Sequence, residues 1–174
     1  MSALLRNSIG AAILAGALFT AGCSLGPAVS PPHSPAVTTS AATQAPGQLG
    51  VPVLFQFGSG STGQAIVWTT EWQPGSGHTT PKYGAFLVLD VTIEGVTGVV
   101  SASPLYWSAR DAQGRNYDTS PFGLDTAAPQ LGVAHLNPGD QARGFVVIDM
   151  PRGPATIQLS NPMVDVVGTW LVPG

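Results

Sequence analysis

Few side chains in this 174-residue sequence can do chemistry, so each can be followed individually. There are nine Asp and Glu against six Lys and Arg, with three His and one Cys. Asp90 and Glu94 stand four apart in an alternating run, which puts them on the same face of a strand but about 13 Å apart along it. A glycosidase pair flanks one bond at roughly 5–9.5 Å, so another strand would have to supply a partner such as Asp149. A solvated face is the simpler reading. Asp111, Asp118, Asp125 and Asp140 sit in or near turn sequences. Calcium would need converging oxygens in a D-x-D-x-D-G loop, which is absent, and Asp favours turns through its own backbone bonds. His78 and His135 have no second His or Cys at zinc spacing. No G-x-S-x-G elbow occurs. Gly58-Ser59-Gly60-Ser61-Thr62-Gly63 matches G-x-G-x-x-G, but a dinucleotide site needs a helix after the last glycine. Gln64 to Trp68 reads as strand, which makes these glycines a turn. No catalytic set, no metal site and no cofactor is expected.

The one cysteine is different. Arg6 is followed by an uncharged apolar run from Ile9 to Ala21. That is the pattern of a signal peptide, and the run is shorter than the ~20 residues a spanning helix needs. Ala21-Gly22-Cys23 then resembles a bacterial lipobox, in which small residues precede a cysteine that takes a diacylglycerol thioether and becomes the new N-terminus. Two or three acyl chains anchor stably where one is marginal. Thr20 stands where that motif usually carries Leu, so an ordinary signal peptide and a freely secreted chain is the alternative. The expectation is a signal peptide over 1–22, a lipidated Cys23, and a location on the outer face of the cytoplasmic membrane or in the cell envelope. The membrane is then a partner through the N-terminal lipid.

Positioning begins with the segment 24–50, which has no Lys, Arg, Asp or Glu and holds Pro27, Pro31, Pro32, Pro35 and Pro46. Such a composition buries too little apolar surface to offset its ordering entropy. It reads as a tether over 23–50, with Thr38, Thr39, Ser40 and Thr43 as candidate O-glycosylation positions and His33 solvated. Charged residues are 9% of the chain against ~25% on average, and the net charge is −3. No basic patch exists, which argues against nucleic acid as a partner. One Lys against five Arg, with abundant Ala, Gly and Pro, fits a GC-rich actinobacterial source. Lipidation would leave no thiol for a disulfide, so stability must come from a packed core.

From Val51 short β runs alternate with Gly, Pro and Asp turns. Val53–Phe57 and Gln64–Trp72 are the first two, with Ile66, Trp68, Thr70 and Trp72 placed on one face. Tyr83–Glu94 alternates best, with Leu87, Leu89, Val91 and Ile93 facing a core and Asp90, Thr92 and Glu94 facing water. Leu105–Ala109, Arg115–Thr119, Leu131–Leu136, Ala142–Met150, Thr156–Leu159 and Val164–Leu171 follow. Asp111–Gly114 and Asn137–Asp140 are tight turns between them. Seven to nine short strands without a helical segment predict an all-β sandwich or barrel over 51–174. Trp68, Trp72, Tyr106, Trp107 and Trp170 could form a sugar or lipid platform but are read chiefly as core or cross-strand packing, with Trp72 as the best candidate for exposure. The long stretches Trp72 to His78 and Pro121 to Pro129, with Trp72, His78, Phe122 and Asp125, are the candidate binding loops.

Taken in series, these pieces resemble the mycobacterial immunoprotective extracellular protein family. The resemblance rests on Gly63-Gln64-Ala65-Ile66-Val67, on Trp107 to Tyr117, on Asn137 to Gly144, and on Asn161-Pro162-Met163-Val164-Asp165 with Trp170, over about 110 residues. It implies an immunoglobulin-like antiparallel β-sandwich, a cell-envelope setting and no enzymatic activity, and it transfers no catalytic residues. The lipobox and tether depart from that family's freely secreted members. The function expected is a lipid-anchored, surface-displayed recognition or antigenic module that binds an unidentified envelope or host protein or lipid. The alternatives are a carrier of a lipid or small apolar ligand between the sheets and, last, an envelope hydrolase.

Overall fold

The computed structural model describes residues 44–75, 79–120 and 127–174. The predicted signal peptide, Cys23 and most of the tether lie outside the described residues, as do His78, Phe122 and Asp125. The described chain forms ten strands and no α-helix.

Residues rich in Val, Ile, Phe and Thr build the first sheet. It contains β1 (Val53–Gln56), β2 (Thr62–Gln73), β3 (Ala85–Thr97) and β8 (Gln141–Met150), antiparallel in the order β1-β2-β3-β8. The second sheet has the order β10-β9-β5-β6, from β5 (Trp107–Asp111), β6 (Asn116–Asp118), β9 (Ala155–Ser160) and β10 (Val166–Val172). A two-stranded piece joins β4 (Val100–Ala102) to β7 (Ala134–Leu136). Of the sandwich and the barrel that the alternation leaves open, this is the antiparallel sandwich. Leu87, Leu89, Val91 and Ile93 all point into one cluster with Val146, Ile148, Ile157 and Leu159 from the facing strands. Trp107 and Trp170 fill its centre with ring centroids 5.5 Å apart and almost no exposure. The two indoles thus occupy the centre of the space between the sheets.

Four expectations need correction. The register of β2 on β3 slips between Val67 and Thr69, so Trp68 is the extra residue of a β-bulge. A bulge reverses which alternate residues face inward: Ala65 and Val67 are buried before it and Trp72 packs inward after it. Ile66, Trp68, Thr70 and Trp72 therefore do not share a face. Secondly, β3 is covered on both sides over its first half. Phe86 and Val88 form a second buried cluster with Val147 and Ala127, the first residue described after 121–126. The chain from Pro129 to Leu131 then runs along β8 by backbone bonds to Phe145. Thirdly, Leu105 is not part of a strand but sits in a 3₁₀ turn, Pro104–Tyr106, which Ser103 caps through its side chain, and it is 80% exposed.

The fourth correction concerns the start of the domain. The Gly47 amide donates to Thr169 O at 2.7 Å and the Gly50 amide to Val67 O at 2.8 Å. Gly47 sits in a parallel bridge with Trp170, where a Cβ would lie 2.6 Å from the indole nitrogen and 2.5 Å from Val53. Only glycine allows that approach. Residues 44–50 therefore belong to the sandwich, which begins before Val51.

Candidate functional site

The ends of the sandwich differ, and the register shows which residues meet at each. Ala85 opposes Met150 at one end of the first sheet, while Gln56 opposes Thr62, and Thr62 opposes Thr97, at the other. At the Ala85 end the first sheet meets the edge of the second. Ser120 N donates to Val147 O at 2.7 Å and Thr119 bridges Ile148. The chain before β3, the strand β6 and the end of β8 converge there on an open cleft of about 590 Å³. That volume lies in the ~300–1,000 Å³ range of ligand sites.

Tyr83 and Tyr117 set the cleft. Their rings meet edge to face at 5.5 Å, and the Lys82 ammonium lies 4.9 Å from the centre of the Tyr83 ring. Asp149 holds the Lys82–Tyr83 segment in place, its carboxylate accepting the Lys82 amide at 2.7 Å and the Tyr83 amide at 2.9 Å. On the opposite wall Asp111 closes the β5–β6 hairpin. One carboxylate oxygen accepts the Gln113 and Arg115 amides at 2.9 Å. The other accepts Arg115 Nε at 2.7 Å and the Tyr117 hydroxyl at 3.1 Å. The carboxylate is nearly buried while the guanidinium stays largely in water.

These contacts fix the charges. Burial pushes the Asp111 carboxyl up, but the hydrogen bonds from Arg115, Tyr117 and Gln113 outweigh it and hold the group below its ordinary value. Burial, and then donation to Asp111, raise the Tyr117 phenol. The hydrogen bond to Asp111 and its charge raise Arg115. The cleft presents the Tyr83 and Tyr117 rings, the Arg115 guanidinium and the Lys82 side chain, with Asp111 and Asp149 engaged in holding the frame. Such a set can stack and hydrogen-bond a ligand. Among the described residues no group of three or more His, Cys, Asp or Glu could hold a metal ion.

The carboxylates weighed for glycoside chemistry are dispersed. Asp90 receives a two-point ion pair from Arg143, at 2.7 and 3.1 Å. Glu94 accepts from Gln64 and Gln141 at 2.6 and 3.2 Å. Asp149 lies at the cleft, opposite Phe86 in register. Gly58 to Ser61 lie in the β1–β2 turn, with Gly58 and Gly60 at positive φ, and Thr62 and Gly63 already belong to β2. Trp72 stands within β2 rather than in a loop, half-buried against the core, with its indole N–H buried and unpartnered. The more exposed tryptophan is Trp68, whose N–H donates to Thr92 at 2.9 Å and whose ring lies under Arg143 at 5.3 Å.

Of the cleft residues, sequence reasoning weighs only the aspartates, Asp149 as a carboxylate partner and Asp111 and Asp118 as calcium ligands or turn residues, and it does not single out Lys82, Tyr83, Arg115 or Tyr117. Lys82-Tyr83, Arg115 to Tyr117 and Asp149 come from three separate stretches with no shared spacing. The one usable signal was the lone lysine beside a tyrosine in a chain poor in charge.

Comparison with known proteins places this architecture. No family model and no curated sequence matches the chain. Among solved structures, the secreted MPT63 protein of Mycobacterium tuberculosis superposes with a TM-score of 0.55 and 23% identity over 74% of this chain and 98% of that one. The yjhA protein of Bacillus subtilis gives a TM-score of 0.50 and 16% identity over 67% of this chain and 82% of its own. The ycdA protein of Bacillus subtilis, named as a candidate lipoprotein, gives 0.50 and 10% identity over 64% of this chain and 36% of its own. At such identities the likeness is one of fold, and it agrees with the sandwich implied by the resemblance read from the sequence.

Proposed function

We propose that this protein is an exported, lipid-anchored β-sandwich of the cell envelope that works by recognition rather than catalysis, with the Tyr83–Tyr117 cleft as its ligand face. The observation that carries the reading is the cleft itself. Two phenol rings are held by carboxylates that spend their acceptors on the frame, leaving ring faces and cationic donors toward solvent. Ring faces flanked by such donors suit a hydroxyl-rich ligand such as an envelope glycan. The two buried indoles at the centre of the sandwich favour recognition at the surface over carriage between the sheets. The anchor rests on Ala21-Gly22-Cys23, and the secreted and candidate-lipoprotein neighbours are in keeping with export.

Two measurements test this. The intact mass of chain purified from its host's membranes should equal residues 23–174 plus diacylglycerol and acyl groups, and Cys23→Ala should abolish both the added mass and membrane association. An unmodified chain in the medium overturns the anchor. Envelope oligosaccharides titrated against the protein should shift the Tyr83 and Tyr117 ring resonances. Tyr83→Ala should weaken binding about tenfold, in line with the roughly 1–3 kcal/mol of one stacking contact. Shifts confined to other residues overturn the cleft assignment.

A further inference from the structure

The opposite end of the sandwich carries a second surface. Gln44, the first described residue, donates from its side chain to Leu54 O and borders Val167, at the start of β10. The turn that feeds β10 is therefore next to the place where the N-terminal chain joins the fold. Phe57, at the end of β1, packs on Tyr106 at 5.7 Å, which brings the 3₁₀ turn to the same end.

These two turns display large apolar side chains outward. Leu105 is 80% exposed, Met163 70% and Val164 81%. Their backbone is closed by side-chain hydrogen bonds. Asn161 Oδ1 accepts the Met163 and Asp165 amides at 2.9 Å, and its amide group donates to Asp165 Oδ2 at 3.2 Å. Val164 is held at φ 68°, where a β-branched residue is strained. Strain and apolar exposure at one tip are what an insertion loop requires and what a merely connecting turn avoids.

We infer that the tip Pro162–Val164, together with Leu105, inserts into the interface of the membrane to which the chain is tethered. This rests on the anchor proposed above. The chain outside the described residues supplies the argument for lipid as the occupant: it joins at Gln44, on this end. The predicted tether that remains, about 20 residues, can reach no further than roughly 60 Å at ~3.1 Å per residue. That confines this end near the bilayer at an effective concentration of order millimolar, where a weak apolar contact is well populated. The side chains stand out as knobs, which a deformable lipid interface accommodates and a flat second copy does not. The charged residues beside them, Asp165 and Asp118, are acidic, so the attraction is apolar and favours zwitterionic lipid.

The test does not depend on acylation. The whole chain from residue 23, with Cys23→Ala and an N-terminal hexahistidine, is tethered to phosphatidylcholine vesicles bearing a nickel-chelating lipid. An environment-sensitive dye is placed on Met163→Cys or, at the far end, on Ala112→Cys. Tethering should blue-shift the dye at 163 and expose it to quenching by brominated lipid, with no change at 112. Adding Leu105→Ser and Val164→Asn, which keeps a residue that tolerates positive φ, should reduce the quenched fraction about tenfold. Equal behaviour at the two positions overturns the inference. So does a blue shift without vesicles that grows with protein concentration, which would assign the face to a second copy. Native chain without acyl mass overturns the anchor while leaving the vesicle result readable. A failed shift beside acylated native chain overturns the insertion alone.

Discussion

The two ends of this sandwich solve the same problem with opposite materials. At the cleft end, the β5–β6 hairpin is closed by a carboxylate that accepts four hydrogen bonds, and its neighbours are phenols and cations. At the N-terminal end, an amide side chain, Asn161, closes the β9–β10 turn, and the residues it presents are Pro, Met and Val. Both turns are closed by side-chain hydrogen bonds, so such closure alone does not mark a ligand site. The difference lies in what the closed frame offers to solvent, donors and rings at one end and aliphatic surface at the other.

The comparison breaks first at the core that both ends share. Trp170→Ala should cost about 3–5 kcal/mol, read by urea denaturation, and should also expose residues 44–50 to protease, because Gly47 loses its seat. Trp170→Phe should cost only about 1–2 kcal/mol, since the indole N–H it removes has no partner. A Phe variant as damaged as the Ala variant would mean that the N–H matters. Next come matched glycines, Gly114 at the cleft end (φ 81°) and Gly139 at the other (φ 89°). Each has open space around it, so Ala at either should cost about 1–2 kcal/mol from backbone strain alone. Unequal losses would show that one turn yields. Val164→Gly should go the other way, gaining up to about 1 kcal/mol while weakening vesicle insertion.

The last prediction concerns pH and separates the turns by charge. Asp111 is held below the ordinary 3.8 against the opposing effect of burial, and Asp140 is lowered by the backbone and side-chain donors of Asn137. A lowered carboxyl contributes stability that is complete above its unfolded value and lost as pH falls through its folded value. Denaturant midpoints should therefore be flat above pH 5 and fall below about 3.8. Asp111→Asn and Asp140→Asn should each flatten part of that acid limb. An unchanged limb in both variants would remove these carboxylates as its cause.

Much of this fold was legible in the sequence because alternation reports burial directly. Leu87, Leu89, Val91 and Ile93 were placed correctly, as were the turns at Asp111–Gly114 and Asn137–Asp140. What escaped were features decided by distant contacts. The bulge at Trp68 depends on how β2 registers on β3, and no residue type announces it. Phe86 and Val88 lie on a face whose Asp90 and Glu94 announce water, and only the returning chain at Ala127 covers them. Leu105 fits strand alternation until Ser103 and Pro104 turn the backbone aside. The cleft was illegible for the same reason, since Tyr83 and Tyr117 share no local pattern and meet through the packing of two sheets.

The Gly47–Trp170 bridge has a mechanical consequence. Tension applied to the N-terminus reaches the folded body at residues 44–50. There it meets the amides of Gly47 and Gly50, each bonded to a different sheet through Thr169 and Val67. A pull is thus shared across both layers and braced against a fully buried indole rather than concentrated on one edge. The domain should remain whole under drag that would peel a terminus attached to a single strand.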